Sequence, residues 1–188
     1  MNESFVDPGI WNTVNFYTYS LSENTELALT LYDLGQPARD SLAIALGYKS
    51  QLEISPDGDF LKEIKFTHGL MVPLNLRGQG LGISAYAHAS ARLVDTGTRV
   101  TAGLAAGSAQ LYGRPTVCGL FALEQPLTEE LSVVAEYFTG KDHDLANLIT
   151  GFVYHNHEHG FVLVTGYKFP NNPDLGRNGL VFEIGGFF

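Results

Sequence analysis

Turn-forming clusters recur along the chain at a nearly constant interval, and this punctuation limits the possible folds more than any other property of the sequence. Segments rich in β-branched, aromatic and small residues fall near 10–21, 26–35, 41–52, 60–72, 80–93, 99–111, 116–125, 131–140, 147–157, 161–169 and 179–188, and groups of Gly, Pro, Asn, Asp or Ser separate them. Ser22-Glu23-Asn24, Gly35-Gln36-Pro37, Pro56-Asp57-Gly58, Arg77-Gly78-Gln79-Gly80, Asp95-Thr96-Gly97 and Pro170-Asn171-Asn172-Pro173 are among these groups. Many short strands joined by such turns predict an all-β, antiparallel up-and-down meander that closes as a barrel. Residues 2–7, ahead of Pro8-Gly9, add a truncated strand and bring the expected number to twelve, with ten as the alternative if one strand has been split. No composition break or low-complexity linker divides the chain, so 1–188 is read as a single domain.

Two segments also carry helical spacing. Leu127, Leu131, Val134 and Phe138 fall on one helical face, and Ile83 to Leu93 is rich in alanine. Both are also compatible with a period of two, and the turn rhythm favours strands.

The alternation has a consistent character. In 41–52 the bulky Leu42, Ile44, Leu46 and Tyr48 oppose Ala43, Ala45, Gly47, Lys49 and Gln51. In 80–93 Leu81, Ile83 and the alanines 85, 87, 89 and 91 oppose Gly82, Ser84, Tyr86, His88, Ser90 and Arg92. The segments 131–140, 161–169 and 180–188 divide in a similar way, 131–140 less cleanly. A barrel in water needs an outer face dense in charge, yet the non-bulky face here carries about one ionisable group per strand, and only 16% of residues are charged. Small residues with a few charges suit a narrow interior, which places the bulky apolar face outward, toward lipid. Segment 60–72 resists this pattern, because the face bearing Phe60, Ile64, Phe66, Leu70 and Val72 also bears Lys62 and His68. A lysine at the bilayer midplane costs about 2–4 kcal/mol, so Lys62 must lie at the interface, snorkel, or mark a bulge.

The remaining composition excludes other classes. A net charge of -9 argues against a nucleic-acid partner, and the lone Cys118 removes any disulfide framework or CxxC motif. No stretch is long and apolar enough for a membrane helix. Met1-Asn2-Glu3-Ser4 has neither a basic nor an apolar leader region, which is expected of a cytoplasmic protein or of a mature form whose signal is absent. Arg77-Gly78-Gln79-Gly80-Leu81-Gly82 lacks the Lys-Ser/Thr of a phosphate loop. His155, His157 and His159 alternate as zinc or copper ligands would, but Gly160 turns the chain beside them, so a polar rim is the preferred reading and no metal or other cofactor is assigned. Ser84, His88 and Ser90 share a face and Glu136 could approach them, which admits a Ser-His-acid relay; no motif surrounds them, and an interior polar network is the simpler reading.

The C-terminal run Leu180-Val181-Phe182-Glu183-Ile184-Gly185-Gly186-Phe187-Phe188 resembles the closing signature of Gram-negative outer-membrane β-barrel proteins, with Leu180, Phe182, Ile184 and the terminal Phe188 in even register. Gly186 stands where that signature usually has an aromatic. The segments 125–132 and 136–140, and Gly166-Tyr167 before a Pro-Asn loop, look like the last hairpins of porin-like and transporter-like members of that class. The resemblance implies an outer-membrane location, a lipid bilayer and the outer-membrane assembly machinery as partners, and a periplasmic C-terminus. Glu63, Lys65, Ser84, His88, Arg92, Glu136, Lys168 and Glu183 are then the expected pore-lining residues. Trp11, Tyr17, Tyr19, Tyr32, Tyr48, Tyr137 and Tyr167 are candidates for interfacial girdles. The expected function is a narrow channel or porin-like transporter for small polar solutes rather than an enzyme. The alternatives are an outer-membrane lipid-modifying enzyme and a soluble barrel that binds an apolar ligand.

Overall fold

The computed structural model describes residues 2–7, 10–32, 43–54, 60–76, 80–109, 114–143, 146–174 and 178–186. They form one antiparallel sheet built from β1 (Asn2–Asp7), β2 (Ile10–Ser22), β3 (Thr25–Tyr32), β4 (Ala43–Ile54), β5 (Leu61–Asn75), β6 (Gly80–Leu81), β7 (Ser84–Leu93), β8 (Arg99–Gly107), β9 (Thr116–Pro126), β10 (Leu131–Phe138), β11 (Asn147–Asn156), β12 (Phe161–Pro170) and β13 (Gly179–Gly186). Apart from the two-residue β6, these are the twelve strands expected, in up-and-down order. Both segments with helical spacing, 127–138 and 83–93, contain strands, β10 and β7.

Each long strand pairs with its neighbours in sequence, with β5 and β7 adjacent across β6; β1 also pairs with β13, and β4 pairs with β5 from Ala43↔Asn75 to Ile54↔Ile64. Every one of the twelve long strands therefore has a partner on both sides. The register is strongly staggered. The paired residues Asn2, Asn15, Leu31, Ile44 and Leu74 begin at the start of β1 and reach, within five strands, the opposite end of the sheet, as strands tilted to the sheet axis do.

The two ends differ. Short turns join β2 to β3, β7 to β8, β9 to β10 and β11 to β12 at the end where β1 begins and β13 finishes. Longer connections join β3 to β4, β8 to β9, β10 to β11 and β12 to β13 at the other end. In the turn between β7 and β8, Gly97 N–H donates to Leu93 O at 2.9 Å with Gly97 at φ 68, a left-handed conformation that glycine adopts without steric cost.

One face of the sheet is covered and the other exposed, and the bulky side chains are on the exposed one. Ala45 and Thr30, paired across β3 and β4, are 0% and 1% exposed, whereas Leu46 is 67% exposed. Strand β13 alternates without exception: Val181, Glu183 and Gly185 are buried, and Leu180, Phe182 and Ile184 exposed. Phe188 lies outside the described residues.

Two departures from regular alternation have local causes. The segment read as one strand from 80 to 93 breaks at Gly82-Ile83, opposite Pro73 of β5. Proline has no N–H to extend the ladder, and Ile83 turns to Ser108 instead, its N–H donating to Ser108 Oγ at 3.0 Å. In β5 the register against β7 slips between Lys62 and Lys65, and Glu63 takes a φ of 51°. This bulge accounts for the lysine on the apolar face: Lys62 pairs with Arg92 and Lys65 with Ser90, and Lys65 lies on the covered side opposite Glu53 while Lys62 is solvent-exposed beside the slip. His68 stays on the exposed face between Tyr48 and Phe66, with its Nδ1 3.4 Å from the Tyr48 hydroxyl.

Candidate functional site

The covered face carries the ionisable groups. Pairing places Glu26 with Lys49, Glu53 with Lys65, Lys62 with Arg92, Arg92 with Arg99 and Arg99 with Glu124, all on that side. Small residues predominate around them. Arg99, Thr101, Gly103 and Ala105 alternate with Val100, Ala102 and Leu104, and in β9 Cys118, Ala122 and Glu124 alternate with Val117, Phe121 and Leu123, with Leu120 the bulky exception on the covered face and Gly119 the small one on the other.

A connected charge network occupies the short-turn end. Glu63 Oε2 accepts from Arg92 Nε at 3.0 Å and from Arg99 Nη2 at 3.3 Å, and Arg99 Nε lies 3.6 Å from Glu124 Oε2. Arg92 Nη1 also donates to Gly97 O at 3.1 Å, which ties the network to the turn between β7 and β8. Beside it Lys65 Nζ meets Glu53 at 3.2 Å, and Lys49 Nζ meets Glu26 at 3.0 Å. Thr98, buried at the same end, donates through Oγ1 to Gln125 Oε1 at 2.5 Å.

Deeper along β7, rings lie over glycines. Tyr86 and His88 are stacked, with centroids 5.9 Å apart and planes 12° from parallel. Tyr86 pairs with Gly69 of β5 and His88 with Gly103 of β8, and a Cβ on either glycine would collide with the ring or backbone opposite. On the far wall Gly151 of β11 and Gly166 of β12 face each other, and a Cβ on either would meet the other strand's backbone.

The eight residues expected to line a pore lie on the covered face of the sheet or reach toward it. Lys65, Ser84, His88, Arg92, Glu136, Lys168 and Glu183 fall on covered-face positions, and Glu63 reaches that side through the bulge. The network joins only Glu63 and Arg92 of these; Lys65 pairs separately with Glu53. Glu136 lies on the covered-face register of β10, paired with Ala122 of β9. Leu180, Phe182 and Ile184 lie together on the exposed face of β13. Sequence reading missed Arg99, Glu124, Glu53 and Tyr86 as members of the site, although the small-against-bulky alternation of β8 and β9 carries the signal for the first two.

The other candidate chemistries are not assembled. Among the described residues His88 Nδ1 has no hydrogen-bond partner, and Glu136 lies three strands round the sheet from β7. His155 and His157 stack with centroids 5.9 Å apart, while the His159 N–H donates to Asn156 Oδ1 within the turn. Among the described residues no group of three or more His, Cys, Asp or Glu side chains is placed to hold a metal ion. No protein-family model, curated protein or solved structure matches the chain.

Proposed function

We propose that the twelve strands close into a β-barrel of the outer membrane of a Gram-negative cell, and that its polar interior conducts small polar solutes as a narrow, porin-like channel. The observation that carries this reading is the inverted burial of neighbouring residues: Leu46 is 67% exposed and Ala45 0%. In water, a surface bearing Leu46, Leu104, Val117, Leu180 and their neighbours is one large apolar patch. In lipid it is the required outer face.

Three features support it. The pairings β1–β13 and β4–β5 leave no long strand with a free edge, and a bilayer tolerates no unpaired backbone. Tyr19 is exposed toward the short-turn end and Tyr137, Tyr167 and Phe169 toward the other, as interfacial aromatic residues would be, while Tyr17 and Tyr48 lie nearer mid-strand. Four of the connections at one end are short turns and four at the other are longer, as on the periplasmic and external sides of such barrels, with the two-residue link from β1 to β2 as an exception at the longer end.

Planar-bilayer recording of detergent-folded protein tests the proposal. Discrete conductance steps are expected. A chain that is monodisperse and fully folded in detergent-free buffer would overturn the membrane reading, and a folded, inserted barrel without steps would overturn the channel reading.

A further inference from the structure

Three cations share one cross-strand row: Lys62 of β5 pairs with Arg92 of β7, and Arg92 pairs with Arg99 of β8. Like charges directly opposite in a sheet destabilise it, so such a row needs an anion within it. The chain inserts one of its own. The bulge turns Glu63 to positive φ, and a single carboxylate oxygen then accepts from both guanidinium groups. Glu124 closes the far end of the row at 3.6 Å from Arg99, and Lys65 is already occupied by Glu53. Lys62 is exposed and, among the described residues, has no hydrogen bond or ion pair.

We propose that this row is an anion-recognition site at the short-turn mouth of the lumen, so that the channel prefers small anions, oxyanions above all, to cations. The inference rests on the channel reading. Two guanidinium groups converging on one carboxylate oxygen present the donor geometry that carboxylates and phosphates share. Glu63 marks where an incoming oxyanion would bind, and Lys62, exposed beside it, adds a third positive charge to the row. Glu23, Asp95, Glu129, Glu130 and Glu158, exposed in the turns of the same end, oppose this at a distance. Their field is screened within about 3 Å at 1 M salt against about 10 Å at 0.1 M. Groups inside a narrow lumen are screened less, so selectivity at high salt reads the row.

The test is the reversal potential of folded, reconstituted protein across a molar KCl gradient, with inorganic phosphate added as a competitor. A chloride-to-potassium permeability ratio above one is expected, together with a phosphate-dependent loss of chloride current. Lys62→Gln, at an exposed position, should lower the ratio, Arg92→Gln should lower it further, and Glu63→Gln should raise it. Folding of each variant is checked by heat-modifiable gel mobility, and Lys62→Gln keeps the test open if an arginine variant does not fold. A ratio below one in the unaltered protein, or one unmoved by Lys62→Gln, overturns the anion site while leaving a channel. Absence of any conductance from inserted barrels overturns the channel itself and the site with it.

Discussion

The phenol ring of Tyr86 occupies the space that a side chain on Gly69 would need: a Cβ built on Gly69 lies 2.5 Å from Tyr86 Cζ and 2.6 Å from its hydroxyl oxygen. The two residues are directly paired across β5 and β7. The ring therefore lies against bare backbone on the covered face, and the contact fixes its direction. Gly69→Ala should destabilise the folded protein by about 1–3 kcal/mol, the usual cost of overpacking a filled site. Tyr86→Ser removes the obstacle, so adding Gly69→Ala in that background should cost far less. Urea midpoints read by heat-modifiable mobility give both values, and equal costs in the two backgrounds would show that the ring can move aside freely.

Neighbouring residues of β4 test which side meets lipid. Leu46→Arg places a charge on the exposed face of β4, and within the hydrocarbon of a bilayer this should cost up to about 2–4 kcal/mol, enough to block insertion into vesicles. On a water-facing surface the same change would be close to neutral. Ala45→Ser, one position along at a fully buried site opposite Thr30, should leave insertion intact. Folding into lipid vesicles with the opposite ranking would mean that the faces are assigned the wrong way round.

How much of this could be read from the sequence depends on the range of the interaction. Turns are local chemistry, so Asp95-Thr96-Gly97 and Asn156 to Gly160 marked their hairpins, and the alternation of Ala43 to Gln51 set the faces of β4 without reference to any partner. The anomaly of Lys62 was visible and a bulge was one of its three explanations, but the position of the slip depends on β7 opposite. The network at Glu63 was not legible for the same reason. Glu63 precedes Arg92 by 29 residues and Arg99 by 36, and only the register of three strands brings them together. The break at Gly82 likewise follows from Pro73 on another strand.

The bulge makes a prediction about backbone that is separable from charge. Glu63→Ala and Glu63→Gly both delete the carboxylate, so their difference reports the conformation at φ 51°. In an ordinary strand glycine is less stable than alanine by about 0.5–1 kcal/mol. In the left-handed region a side chain costs about 1–2 kcal/mol, so here the order should reverse and Glu63→Gly should be the more stable variant. Chemical denaturation of the two proteins decides it; alanine ranking above glycine would mean that the strand runs without the bulge. The ion pair itself is partly exposed, and a double-mutant cycle between Glu63→Gln and Arg92→Gln should give a coupling of about 1 kcal/mol or less.

At the opposite end Asn171 ties down both sides of the connection between β10 and β11. Asn171 Nδ2 donates to Phe138 O and to Gly140 O, both at 2.8 Å, and its backbone N–H donates to Ala146 O at 3.0 Å. Within the connection, the buried His143 donates through Nε2 to Thr139 O at 3.0 Å. Lys141 lies exposed between these anchors, so trypsin can report whether they hold. Asn171→Ala leaves two carbonyl groups without their side-chain donor, a local loss of about 1–2 kcal/mol. Cleavage that follows the opened population should then accelerate roughly 5–30-fold. Asn171→Asp should be worse than alanine, since it points a carboxylate at the same two oxygens. Equal cleavage rates for asparagine, alanine and aspartate at this position would show that the amide does not restrain the connection.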